Sequence, residues 1–385
     1  HTVSRCGDYI YVFGGRDQNS TFYHSHGAAV DLRRQTFKKI TLPTPFTSIC
    51  HTAAVVGETI FLHGGYSGAY AIRKSLVAFS TDTREAKIIE PKKDDIWPEA
   101  RFGHTSSVVG DVVYFFGGRG LKWDDPTGWM LGYQSVFFGD LWTYNTVSEE
   151  WCLIETTESP PNRCYHSSVT VGDRIYIYGG QGGKKASFCD LWSFNVKTLK
   201  WTQVDVSGTP PLPRFMHTTT LLDSNRMLLL GGRDNTGPHN TIYIFHFDTE
   251  KWIEYSLVNT PDASAWAHQT LYFNELRMII VYGGYGSHPV FCRYSEDWLV
   301  EIEDRGLEHT KAIKKVQSIK DSEERLKEEL KVLKDINKTL RERIEKNRET
   351  YESKIASLEA ELERQRNTLQ TLHRVLKNDG PKESL

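Results

Sequence analysis

The sequence has no apolar run near the roughly 18 residues that a membrane-spanning helix needs. Its longest, such as Met227–Leu230 and Met278–Tyr282, are strand-sized. It has no excess of one charge either. The 47 Lys and Arg against 49 Asp and Glu leave a formal net charge of −2, so no bulk field favours nucleic acid. Cysteine is sparse: Cys6, Cys50, Cys152, Cys164, Cys189 and Cys292 form no CxxC pair, follow no zinc spacing and are too few for a disulfide scaffold. Reduced thiols in a cytoplasmic protein are expected. With 39% hydrophobic and 25% charged residues, the chain is neither disordered nor a membrane protein in composition. Aromatic residues are missing from one end only. Tyr351 alone lies beyond residue 304, whereas all ten Trp precede it. Charge divides at the same place, with 27 Lys and Arg against 33 Asp and Glu before residue 305, and 20 against 16 after it. Two different physical objects are joined there.

An internal repeat organises the aromatic part. Gly-Gly doublets stand at Gly14, Gly64, Gly117, Gly179, Gly231 and Gly283, spaced by 50, 53, 62, 52 and 52 residues. Each follows a short run rich in β-branched and aromatic residues, which predicts a strand. A histidine lies 13 to 15 residues before each doublet: His1, His51, His104, His166, His217 and His268. Thr or Ser follows it in five of the six repeats, and Gln269 in the last. A further strand is expected after each doublet, at Asp297–Glu301 in the sixth repeat. Trp151, Trp201 and Trp252 then open a last strand, a column that Phe37 and Ala86 hold in the first two repeats.

Six phased units of about 50 residues with four strands each describe a propeller. The doublet, the spacing and the late Trp together resemble the kelch repeat over residues 1–304. The implied fold is an all-β six-bladed kelch β-propeller followed by a long α-helical coiled coil. Glycine permits the sharp backbone turn after a strand, and the Trp column fills the space between blades. The sixth repeat lacks its outer strand, and the first begins cleanly at its inner one. Blade six is therefore expected to take its missing strand from sequence upstream of His1.

A 3.5-residue period begins near Lys311. Its core columns include Leu326, Leu330, Leu333, Asn337, Leu340 and Ile344. A second frame runs Tyr351, Ile355, Leu358, Leu362, Gln365, Leu369, Leu372 and Leu376. The 11 residues from Ile344 to Ile355 place a stutter between the frames. Asn337 at a core position favours a parallel dimer. The expected organisation is propeller 1–304, linker 305–310, coiled coil 311–377 and a frayed tail 378–385.

The repeated histidines sit at one place in each repeat, which argues for structural hydrogen bonds rather than metal ligands. Arg101, Arg163 and Arg214, three residues before theirs, are expected to brace blade junctions. Gly183-Lys184 fails as a phosphate loop, because Tyr178 stands at the required glycine and Lys185 at the Ser/Thr. The Glu-x3-Asp-x3-His run of nitrile-specifier kelch proteins starts only at Glu90 and Asp94 and ends in Pro98. No copper set of the galactose-oxidase kind is discernible. No enzyme, cofactor or metal is expected.

Binding surfaces are the better candidates. The residues after the doublets include Arg16, Tyr66, Arg119, Arg233 and Tyr285, which open the loops on one face and suit an acidic peptide. The third repeat is about ten residues longer than the others, and its excess Arg119–Gly139 holds Trp123, Trp129 and Tyr133. The chain resembles kelch proteins with a propeller before a coiled coil, of which fungal cell-end markers are the best known. The resemblance implies a scaffold for polarity, cytoskeletal or trafficking assembly. Its loops would hold a protein partner and its coil would form a homodimer, with no nucleic acid and no membrane span. The kelch portion of an acyl-CoA-binding metabolic adaptor and a substrate receptor of a cullin ubiquitin ligase are the alternatives.

Overall fold

The computed structural model describes residues 1–16, 26–34, 36–42, 48–67, 71–91, 96–123, 133–183, 186–257, 265–286, 291–295, 299–301 and 352–370. The chain divides into two units, His1–Ile302 and Glu303–Leu385. The first is all β. Each repeat forms one antiparallel sheet because each strand ends in a turn that the next strand can fold back on. In the first repeat the strands are Thr2–Cys6, Tyr9–Phe13, His26–Asp31 and Thr36–Thr41, paired in that order. The inner strands Thr2–Cys6, Thr52–Val56, Thr105–Val109, Ser167–Val171, Thr218–Leu221 and Gln269–Phe273 neighbour one another in turn, and the last meets the first. The ring is closed.

Where six blades were expected, the described residues form five complete ones. The sixth repeat forms a three-stranded sheet of Gln269–Phe273, Met278–Tyr282 and Phe291–Ser295. Its third strand is not the expected Asp297–Glu301. Phe291 follows Gly284 by the same seven residues that separate Ser187 from Gly180 in the fourth repeat, so the chain turns early. Leu299–Glu301 pairs instead with Tyr255–Leu257, the outer strand of blade five. Ser207–Gly208 pairs with the other end of that strand, so both ends of this sheet edge are covered.

The core lies between blades. Trp151, Trp201 and Trp252 are 8%, 4% and 0% exposed. Each packs against aromatic and aliphatic residues of the preceding blade: Trp151 with Phe61 and Leu76, Trp201 with Phe116 and Leu141, Trp252 with Tyr178 and Leu191. Phe37, in the same column, does not follow them and is 70% exposed. Its neighbour around the ring is the three-stranded sheet, which among the described residues has no outer strand to cover it. The helical unit contributes one described helix, residues 352–370. Where a long coiled coil was expected, the described residues show this one short helix and no pairing of helices. Leu326, Leu330, Leu333, Asn337, Leu340 and Ile344 lie outside the described residues.

These environments separate two members of one sequence column. Trp201→Ala is expected to cost about 3–5 kcal/mol through the cavity it leaves, and Phe37→Ala within about 0.5 kcal/mol. Urea unfolding of the two variants measures both, and equal costs would contradict the packing described.

Candidate functional site

The histidine column forms the inner wall of the ring. The hydroxyl after each histidine reaches the imidazole of the next repeat. Thr2 Oγ1 lies 3.0 Å from His51 Nε2, Thr52 Oγ1 3.1 Å from His104, Thr105 Oγ1 2.9 Å from His166, Ser167 Oγ 2.8 Å from His217 and Thr218 Oγ1 3.0 Å from His268. His1 Nε2 closes the circle 3.1 Å from the Tyr282 carbonyl. Blade two adds His63 where the other repeats have Phe, Tyr or Leu. It is fully buried beside Phe115 and Trp151, with Nδ1 3.0 Å from His104 Nε2.

The expected arginine braces are present. Arg101 donates to the Gly117 carbonyl at 2.9 Å and to both carboxylate oxygens of Asp140 at 2.7 and 2.8 Å. Arg163 repeats this with Gly179 and Asp190. Burial tends to raise the Asp140 carboxyl, but bonds and charge from Arg101 and a bond from Trp142 hold it below its ordinary value. In blade five Thr241 replaces the aspartate. Arg214 there donates to the Leu212 and Gly231 carbonyls and lies over the Tyr243 ring.

One feature of the channel was not legible in the sequence. The residue before each histidine is left-handed: Cys50, Gly103, Tyr165, Met216 and Ala267 have φ from 55° to 64°. Four of the five carry a Cβ, where this conformation is costly. A chain of backbone hydrogen bonds holds them. Gly103 N–H donates to the Cys50 carbonyl at 2.8 Å, Tyr165 to Gly103 at 2.6 Å, Met216 to Tyr165 at 2.9 Å and Ala267 to Met216 at 2.8 Å. Gly103 was the only sequence signal of this belt. A cavity of about 530 Å³ lies in the middle, lined by the belt, the six histidines, Arg16 and Tyr285, with no carboxylate among its described lining residues.

Around the mouth, five of the six residues after a doublet are locked to the residue two before their own histidine. The bridges are Ile49 with Tyr66, Phe102 with Arg119, Cys164 with Gln181, Phe215 with Arg233 and Trp266 with Tyr285. This backbone locking brings aromatic rings and guanidinium groups onto one arc. Tyr66 lies 5.7 Å from Phe102, Phe102 6.1 Å from Tyr165 and Tyr165 6.5 Å from Phe215. Arg233 sits between Phe215 and Trp266, 6.0 and 5.0 Å from the ring centres. Trp266 stacks on Tyr285 at 4.5 Å, and Arg16 donates to the Tyr285 hydroxyl at 2.9 Å. Arg119 lies over Phe102 and Phe137 and donates to Ser135.

The sequence-derived candidates thus fall into two groups. Arg16, Arg233 and Tyr285 are joined on one side of the mouth, and Tyr66 and Arg119 share the Phe102 ring on another. The long segment of the third repeat is not a simple loop, because Arg119–Trp123 and Tyr133–Phe137 pair as an antiparallel hairpin. Trp123 and Tyr133 are backbone partners in its register, at the end farthest from the doublet, and Trp129 lies outside the described residues. Phe138 turns inward, with Arg101 4.4 Å above its ring. Among the described residues no group of three His, Cys, Asp or Glu is disposed to hold a metal ion, and no helix is long and apolar enough to cross a membrane.

The family model described as KLHDC2/KLHL20/DRC7 Kelch-repeats domain matches residues 1–158 and 127–318. The chain belongs to this kelch-repeat family. Among its relatives, human Kelch domain-containing protein 3 is 28% identical over 145 residues, covering 37% of this chain and 35% of the relative. Tip elongation aberrant protein 1 of Schizosaccharomyces pombe is 27% identical over 187 residues, 48% of this chain and 16% of the relative. A Thlaspi arvense protein named N-(sulfonatooxy)prop-2-enimidothioate sulfolyase is 28% identical over 152 residues, 38% of this chain and 39% of the relative. This chain therefore spans well under half the length of these relatives. Kelch membership points to a protein-interaction scaffold.

The kelch ring should also be sensitive to acid. Burial holds the imidazoles of His51, His104, His166 and His217 well below their usual value, and His63 falls to about 3 through burial and the Arg101 charge. The unfolded chain, with histidines near 6.5, then binds more protons than the native ring below that pH. The stabilisation is complete above about pH 6.5 and is lost as pH falls, at roughly 1.4 kcal/mol per histidine per pH unit. Against a total stability of about 5–15 kcal/mol, acid titration followed by Trp fluorescence should show cooperative unfolding between about pH 6 and 4, with uptake of three or more protons. Uptake of one proton or none contradicts this.

Proposed function

We propose that the propeller is a non-enzymatic protein-binding module whose channel mouth holds an acidic segment of a partner, and that the tail pairs two such chains in the cytoplasm. The observation that carries this reading is the arc Arg233, Trp266, Tyr285 and Arg16. It presents two guanidinium groups on a stacked aromatic platform beside a cavity without carboxylates among its described lining residues. Ionised partners strengthen such hydrogen bonds, and rigid aromatic anchors concentrate binding energy. The platform is basic on an otherwise acidic propeller, where 33 Asp and Glu exceed 27 Lys and Arg. Arg119 and Tyr66, which share the Phe102 ring, extend the same face.

Catalysis is the weaker reading, because the repeated imidazoles are engaged in hydrogen bonds that hold the ring. Five free cysteines among the described residues support a reducing compartment. Similarity to a protein named for aberrant tip elongation supports a place in a polarity or cytoskeletal assembly. Pairing two propellers would raise avidity through effective concentration, without new contacts.

Panning a random peptide display library against the full chain tests the site. Selected peptides should be rich in Asp and Glu, and the double variant Arg16→Ala/Arg233→Ala should bind them at least about tenfold more weakly, a loss of roughly 1.4 kcal/mol, with an unchanged melting temperature. Selection of neutral peptides, or binding untouched by the double variant, refutes the reading.

A further inference from the structure

Every residue of the helix over 352–370 is exposed. Its apolar residues Ile355, Leu358, Leu362 and Leu369 share one stripe, and Leu362 is 69% exposed. Helices owe most of their stability to packing of an amphipathic face, so the stripe requires a cover. The spacing places Ile355, Leu362 and Leu369 at heptad position a, and Leu358 and Gln365 at d. Lys354 and Glu361 then occupy g, and Glu359 and Arg366 occupy e, on the two flanks of the stripe.

We infer that the cover is the same helix of a second copy of this chain, parallel and in register. This rests on the reading of the tail as a dimer and adds the register of the described helix. In that arrangement each g residue meets the e residue five positions on in the other chain. Lys354 meets the partner's Glu359, and Glu361 meets the partner's Arg366. Both contacts join opposite charges, and symmetry doubles them. Gln365 meets the partner's Gln365, so each amide has a hydrogen-bonding mate inside the seam.

The competing arrangements lose these features. An antiparallel pair sets Gln365 against the partner's Leu362 and takes the opposite charges away from Lys354 and Glu361. A parallel slip of one heptad sets Gln365 against the partner's Leu358, Lys354 against the partner's Arg366 and Glu361 against the partner's Glu359. Like charges and a lone buried amide oppose the slip, and a lone buried amide opposes the reversal.

The test uses the full chain with the exposed Cys152 and Cys189 replaced by Ser. Sedimentation at about 10 μM first asks for a dimer, a concentration at which a micromolar affinity suffices. A monomer there removes the underlying dimer reading. In the dimer, Leu358→Cys should form a disulfide with its own copy under mild oxidation. It should show no preference for a chain carrying Leu369→Cys. Crosslinking only in that mixture establishes an antiparallel pair and overturns the inference, as does a dimer without the 358–358 crosslink. Glu361→Lys should weaken the dimer by roughly fivefold or more, and adding Arg366→Glu should restore it. Failure of the second change to rescue also counts against the parallel register.

Discussion

The close approach of each glycine doublet to two histidines is the contact on which the ring depends. The first glycine lies against the imidazole of the next repeat, and the second against the Cβ of its own histidine. A Cβ on Gly179 would stand 2.7 Å from the Arg214 carbonyl and 3.0 Å from His217 Cε1, and one on Gly180 2.9 Å from the His166 Cβ. The same first-glycine contact recurs at Gly14, Gly64, Gly117 and Gly283, the last of which meets His1. Because the doublets let neighbouring repeats come this near, the hydroxyl–imidazole bonds can form and the belt before the histidines can link up. Its left-handed residues are tolerated because four blade-to-blade hydrogen bonds hold them in place. The residue after the doublet is then fixed by its bridge, which is how a structural repeat also sets the binding face.

Those parts of the fold that repeat were legible. The doublets, histidines, Trp column and arginines each recur at a fixed offset, and the structure uses each in the same way every time. What broke the pattern was misread. Asp297-Trp298-Leu299 resembles Asp140-Leu141-Trp142, yet the third strand of the sixth repeat begins earlier, at Phe291. Phe37 shares a column with buried tryptophans, but burial belongs to the neighbouring sheet and not to the residue itself. The hairpin within Arg119–Gly139 read as a loop, because its turn residues Asp125-Pro126-Thr127-Gly128 were not weighed against the β-prone runs on either side. The belt residues are chemically unrelated, since what they share is a backbone angle.

The candidate site was half legible. Position after the doublet selected Arg16, Arg119, Arg233, Tyr66 and Tyr285, but it gave no hint that Phe102, Phe215 and Trp266 lie beneath them. Those rings sit two residues before their histidines, 17 to 19 positions away in sequence from the side chains they support. Only the bridge joins them. Arg119 and Arg233 are thereby held against aromatic rings, which lowers the entropy lost when they bind.

The claim that doublet-to-histidine proximity holds the ring is tested most directly by two glycines four residues apart. Gly179 is left-handed, with φ of 63°, and crowded, whereas a Cβ on Gly183 would meet nothing within 4 Å and its φ is not left-handed. Thermal and urea unfolding of the full chain carrying Gly179→Ala or Gly183→Ala compares them. Gly179→Ala should lose at least about 2–3 kcal/mol from strain and overpacking, and Gly183→Ala should stay within about 0.5 kcal/mol of the parent. Equal stability of the two variants would contradict the account.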